Sequence, residues 1–175
     1  MPKRLLLLAL AVGIGSTGCG PSRADLDHFA AAGRIDEHAP VKVHLEADIA
    51  APPQKVWALL VNAPAWPEWE PDIAGVSVSQ PLASGTRFDW KAGSNTIHSE
   101  VKFYEPGQRI IWTGKVLTAK AIHGWALAPA PGGHTHVVTD ESMDGPLMAT
   151  LFPAEKLSKA DASWLAALKR AAEKP

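Results

Sequence analysis

From Val41 the chain alternates. Val41, Val43, Leu45, Ala47 and Ile49 are apolar and Lys42, His44, Glu46 and Asp48 between them are polar, a period of two that turns one face of a strand to a core and the other to water. Ala51-Pro52-Pro53 ends that run. Val56, Trp57 and Leu60 then return at helical spacing, with proline near the start, where its missing N–H is harmless. A second short helix or turn follows between Ala63 and Pro71, kept short by Pro64, Pro67 and Pro71. From Ile73 the pattern changes to short extended runs at Val76 to Gln80, Thr86 to Lys91, Asn95 to Tyr104, Arg109 to Lys115, Ala119 to Ala128 and His134 to Met143. Gly85, Gly93, Pro106-Gly107 and Pro131-Gly132-Gly133 separate them, the punctuation of an antiparallel meander. Between about Leu147 and Glu173 a helical stripe carries Met148, Leu151, Phe152, Leu157, Trp164, Leu165 and Leu168, and Pro153 kinks or divides it. Strand, two short helices, antiparallel strands and one long helix predict an α+β fold, with the C-terminal helix across the concave face of a curved sheet.

Parity along the strands predicts which residues face that helix. Phe88 and Trp90 share a face, as do Ile97, Ser99, Val101 and Phe103, then Ile110 and Trp112, then Ala121, His123, Trp125 and Leu127, then Val137, Thr139, Glu141 and Met143. Arg87, Asp89, Lys91, His98, Glu100, Lys102, Lys115 and His136 fall on the opposite, solvated side. A hairpin centred on Gly132 sets Leu127 opposite Val137, Trp125 opposite Thr139, His123 opposite Glu141 and Ala121 opposite Met143. Opposed side chains lie about 4.5–5.5 Å apart at Cβ. A slip of one residue would pair inward with outward positions and is disfavoured.

An imidazole beside a carboxylate in an apolar wall can act as a general acid and base. The same two groups can instead bond to each other or hold the polar end of a ligand, because buried polar groups need partners. No further strong catalytic group is expected beside His123 and Glu141. The predicted ligand-facing set is Phe88, Trp90, Ser99, Val101, Trp112, His123, Trp125, Thr139, Glu141 and Met143, with Leu151 from the helix. Trp90, Trp112 and Trp125 could stack on a flat or sterol-like ligand or simply fill the core; Trp57, Trp66, Trp69 and Trp164 read as packing residues. His134 and His136 form an H-x-H pair without a third ligand of matching parity, so no metal and no cofactor are expected.

The first forty residues add an address. Lys3 and Arg4, an uncharged apolar stretch from Leu5 to Gly15, and the small residues Ser16-Thr17-Gly18 precede the single cysteine, Cys19, the order of an export signal. The apolar stretch is too short for a membrane span. Small residues before Cys resemble the bacterial lipoprotein lipobox, with Ser16 in place of its usual Leu, which implies a lipid on Cys19 and a cell-envelope location; an ordinary signal peptide and a soluble secreted chain are the alternative. Residues 1–18 are thus expected to be a signal peptide, 19–40 a lipidated N-terminus and tether with a helical turn or two around Ala24 to Ala32, and 41–173 the folded domain. The chain has 175 residues, enough for one domain. Its 17 basic and 18 acidic side chains lack the positive excess of a nucleic-acid binder. Nothing in the sequence bears on oligomeric state.

Several local runs go beyond pattern: Ala51-Pro52-Pro53 with Val56-Trp57 and Leu60, Trp66-Pro67-Glu68-Trp69 with Pro71, Gly85 with Phe88 and Trp90, Glu105-Pro106, Trp112-Thr113-Gly114, His123 with Trp125, Gly132-Gly133, Glu141-Ser142, and Trp164-Leu165 with Leu168-Lys169. In order and spacing they resemble the polyketide cyclase/dehydrase-like branch of the START-like helix-grip (SRPBCC) superfamily from about Ile35 to Glu173. The resemblance implies a curved antiparallel sheet wrapped around a long C-terminal helix, with a cavity between them for a hydrophobic or amphipathic small molecule. Two activities remain open on that basis: a membrane-tethered binding or carrier protein, or a cyclase/dehydratase-like enzyme using His123 and Glu141. A fold shared by carriers and enzymes does not choose between them.

Overall fold

The computed structural model describes residues 23–175; the expected export signal and Cys19 lie outside the described residues. A seven-stranded antiparallel sheet runs in the order β1-β7-β6-β5-β4-β3-β2. Its strands are β1 (Val41–Ile49), β2 (Ile73–Ser77), β3 (Arg87–Ala92), β4 (Asn95–Glu105), β5 (Arg109–Val116), β6 (Ala119–Ala130) and β7 (His134–Asp144). From β2 to β7 each strand pairs with the next in sequence, and β1 returns to pair with β7. Helix α2 (Pro53–Val61), a 3-10 turn (Ala63–Ala65) and α3 (Trp66–Trp69) fill the long connection between β1 and β2. Each of these three has proline in its first turn, where a missing N–H breaks no helical bond.

Pro153 divides the C-terminal segment into α4 (Met148–Leu151) and α5 (Ala154–Ala172), and itself caps α5 in an extended conformation. The buried stripe of α5 runs Leu157, Asp161, Trp164, Leu165, Leu168 and Ala172, recurring every three or four residues, and lies across the concave face. Trp66, Phe88, Val101, Ile110, Trp112, Trp125, Val137 and Leu168 pack between sheet and helices as the main core. This is the α+β architecture expected from the pattern of elements, and the helix-grip fold that the family resemblance implies.

Strand β2 begins three residues ahead of the extended run expected at Val76 to Gln80, and two larger placements differ from expectation. The stretch anticipated as a tether is, from Arg23 onward, part of the folded body. Helix α1 (Arg23–Ala31) lies on the convex face, where Leu26, Ala30 and Ile35 bury against Ile111 and Ile122 with Phe103 alongside. Gly33 turns the chain there with φ +73°, and a Cβ at that position would stand 3.2 Å from the Phe103 ring. The segment is fastened further by a Lys102–Asp27 ion pair of 3.4 Å and by the Asp36 backbone N–H donating to Ser142 Oγ at 3.1 Å. A sheet face bearing Ile111 and Ile122 is too apolar to leave wet. The polar residues interspersed on the outer face mask that apolar patch along the sequence.

The second difference is Phe103, expected to face the helix. A β-bulge between Val101 and Phe103 places one extra residue, Lys102, in β4 opposite β5. Parity is inverted beyond it: Phe103 joins the α1 cluster on the convex face, and Tyr104 turns inward to meet Trp57 at 5.6 Å between ring centroids.

Candidate ligand cavity

Between the concave face and α5 lies a cavity of about 170 Å³. Gly114, Ala121 and Ala160 on its wall leave room, and Trp90, Trp112 and Trp164 supply aromatic surface. Trp164 is the hub of this wall. Its ring lies 5.3 Å from Trp90, 6.2 Å from Trp112, 5.1 Å from Trp66 and 5.3 Å from His123. The indole expected only to anchor the helix therefore also borders the site.

The β6–β7 hairpin has the register anticipated from Gly132: His123 stands opposite Glu141, Trp125 opposite Thr139 and Ala121 opposite Met143. His123 Nδ1 lies 3.2 Å from Glu141 Oε2. The other ring nitrogen fixes the tautomer. Thr139 Oγ1 donates its only proton to the Gly124 carbonyl at 3.1 Å, so in the 2.9 Å contact between His123 Nε2 and Thr139 Oγ1 the imidazole N–H must be the donor. With its proton on Nε2, neutral His123 turns the Nδ1 lone pair to Glu141. Both groups are buried, with His123 3% and Glu141 8% exposed.

A third group completes the cluster. Asp161 on α5 is 3% exposed, and ligating atoms of His123, Glu141 and Asp161 lie within 4.8 Å of one another. The expectation that no further strong group stands beside the pair is therefore corrected. Asp161 was legible in principle, being a charged residue four positions after Leu157 and three before Trp164 on the apolar stripe of the helix. Burial penalises every charged form here. It pushes His123 down to about 3, so the ring is neutral at physiological pH. It raises Asp161 to about 6 and raises Glu141 well above the usual carboxyl range, the latter reinforced by the Asp161 charge. A protonated Glu141 then donates to the Asp161 carboxylate, and no ion pair forms with the neutral His123. Glu70 at the end of α3 also borders the cavity; it is raised by burial, and its Oε2 has no hydrogen-bond partner.

Of the anticipated ligand-facing residues, the structure brings Trp90, Ser99, Trp112, His123, Glu141 and Met143 to the cavity wall. Trp90 Nε1–H donates to Ser99 Oγ at 3.0 Å. Phe88, Val101, Trp125 and Thr139 are buried behind that wall; Trp125 stacks on His123 at 5.3 Å and Thr139 orients the same ring. Leu151 lies outside, 62% exposed, while its neighbour Phe152 lines the cavity. His136 is on the exposed outer face, paired with Asp48 at 2.8 Å and Glu46 at 3.6 Å. The carboxylates missing from the sequence reading of that histidine come from β1, across the sheet.

Near the cavity-lining residues Val116, Ala119 and Phe152, three large apolar side chains stand in solvent: Leu117 at 85%, Leu147 at 71% and Leu151 at 62% exposure. The loop before α4 closes on the β5–β6 turn so tightly that a Cβ on Gly145 would stand 2.9 Å from the Thr118 carbonyl oxygen.

Fold and cavity together define a helix-grip protein with an apolar, tryptophan-walled cavity between its sheet and its C-terminal helix. Residues 40–173 match the model of the family described as polyketide cyclase / dehydrase and lipid transport, and the chain belongs to that family. Similar solved structures include the hypothetical protein jhp0584 of Helicobacter pylori, 18% identical, with 78% of this chain and 90% of that one covered at a TM-score of 0.69. A START superfamily protein from Mycobacterium smegmatis is 17% identical, covering 74% of this chain and 92% of that one at a TM-score of 0.59. TTHA0849 from Thermus thermophilus is 18% identical, covering 75% and 96% at a TM-score of 0.62. No curated protein sequence matches this chain.

Proposed function

We propose that this protein binds and carries a hydrophobic or amphipathic small molecule in the sheet–helix cavity, with the polar end of the ligand held by His123 and Glu141. The observation that carries the reading is an apolar, tryptophan-walled cavity with one cluster of buried polar groups on its wall. Apolar cavities of about 150 Å³ take up a benzene-sized solute, so 170 Å³ suits a ring system or a short chain segment. A longer chain would pass out through the mouth, past Leu117, Leu147 and Leu151. Those exposed leucines suit a mouth that meets a lipid surface, and a lipid on Cys19 would hold the body there. Among the described residues no helix is long and apolar enough to cross a membrane.

Organic extraction of protein purified from its native host, followed by mass spectrometry, tests the carrier reading. An empty protein that also refuses fatty-acid and aromatic probes overturns it. The tether is tested separately: Cys19→Ser should move the chain from the membrane to the soluble fraction, and an unmodified Cys19 in the mature wild-type chain would refute it.

Asp161 favours one second reading, a cyclase/dehydratase-like enzyme. A proton held between two carboxyls beside a neutral imidazole can be given to and taken from a bound carbonyl compound. On that reading His123→Ala abolishes turnover of a poly-ketone substrate without loss of fold; as a carrier, the same variant changes affinity alone.

A further inference from the structure

The His123, Glu141 and Asp161 cluster has a property that neither reading uses. The three residues come from β6, β7 and α5, and all three are buried. Among the described residues they are the one group of three or more His, Cys, Asp or Glu side chains whose ligating atoms converge. Asp161 Oδ2 has no hydrogen-bond partner, so a proton shared within the cluster still leaves one buried acceptor unsatisfied, which is unfavourable. We propose that His123 Nδ1, Glu141 and Asp161 form a binding site for one divalent first-row transition-metal ion, whose remaining coordination position faces the cavity.

Four observations support it. The donor set is one imidazole nitrogen and two carboxylates, which suits zinc and its first-row neighbours better than calcium or magnesium, whose ligands are oxygens. Two ionised carboxylates and a neutral imidazole match the charge of a divalent ion, so one ion would offset the burial of both charges. The 3.2 Å between His123 Nδ1 and Glu141 Oε2 is close to the roughly 3–3.5 Å edge between neighbouring ligands that each lie about 2.0–2.2 Å from an ion. Last, His123 is oriented as a metal-binding histidine is: its other nitrogen donates to Thr139, which is itself fixed by Gly124, leaving the Nδ1 lone pair pointed at the carboxylates. Three protein ligands with an open fourth position resemble a reactive metal centre more than a structural one. A ligand carboxylate or carbonyl in the cavity could take that position.

The test uses delipidated protein stripped with EDTA, titrated with Co²⁺ and followed by visible absorption, with Zn²⁺ competition and elemental analysis. One equivalent should bind, with d–d bands in the visible and displacement by Zn²⁺. Asp161→Asn and His123→Ala should each weaken binding by at least about 100-fold. Thr139→Val keeps every ligand atom and should weaken it about 10- to 100-fold. Intrinsic tryptophan fluorescence in urea confirms that each variant is folded. Absence of Co²⁺ bands, equal binding of Ca²⁺ or Mg²⁺, or binding untouched by Asp161→Asn, as at the exposed His136 with Asp48 and Glu46, would overturn the site. Probe uptake measured in EDTA reads the carrier function by itself, so the failure of one is distinct from the failure of the other.

Discussion

Replacing Asp161 by Asn should make the metal-free protein more stable at neutral pH and not at pH 4. Folding raises the Asp161 carboxyl from its ordinary 3.8 to about 6, chiefly by burial. A carboxyl raised by folding binds its proton more tightly in the folded state, so its contribution is fully present below pH 3.8 and is lost as pH rises through 6. At about 1.4 kcal/mol per pH unit, the ionised group costs about 3 kcal/mol at pH 7. A neutral amide in its place would carry no such penalty. The neighbours act in the same interval: Glu141, also raised, in the same direction, and His123, lowered to about 3, in the opposite one, because the unfolded imidazole takes a proton that the folded one refuses. Subtracting the two proteins' unfolding free energies removes most of these shared contributions. The difference, Asp161→Asn variant minus wild type, should fall by about 2 kcal/mol between pH 7 and pH 4. Urea unfolding at pH 4, 5, 6 and 7 in EDTA, followed by tryptophan fluorescence, measures it. A difference independent of pH, or one that grows as pH falls, would refute the assignment of a buried, desolvated carboxyl at this position.

Three further outcomes follow from the packing. Leu26→Asp places a carboxylate in the buried contact between α1 and the convex face and should destabilise by roughly 2–4 kcal/mol in urea unfolding; a value within about 0.5 kcal/mol would show α1 to be a free tether. Trp66, fully buried and bonded through Nε1–H to the Leu60 carbonyl at 2.9 Å, should cost about 3–5 kcal/mol on replacement by Ala, and a loss below about 1 kcal/mol would remove it from the core. Leu117→Ser with Leu147→Ser alters only exposed side chains, so thermal stability should hold within a few degrees while transfer of a fluorescent fatty acid to vesicles slows several-fold. Unchanged transfer would separate the exposed leucines from function.

Much of this protein is a consequence of short-range rules. The β1 alternation, the prolines that begin α2 and α3, and the turn residues around Gly132 act within a few residues of themselves, so the order of elements and the β6–β7 register are readable along the chain. His123 opposite Glu141 follows from that register, because a hairpin converts sequence symmetry about one turn into spatial contact. Distant elements decided the rest. Phe103 turned outward because a single bulge reversed parity, and α1 became part of the body because Ile111 and Ile122 needed cover. Trp125 and Thr139 have the inward parity of the cavity residues, yet sheet curvature and the position of α5 set them behind the wall. Asp161 joined His123 and Glu141 only when α5 crossed the sheet, since no local rule specifies which turn of a helix meets which strand. The cavity is the space that crossing leaves, and its chemistry depends on burial: the same imidazole and carboxyls in water would titrate at their ordinary values.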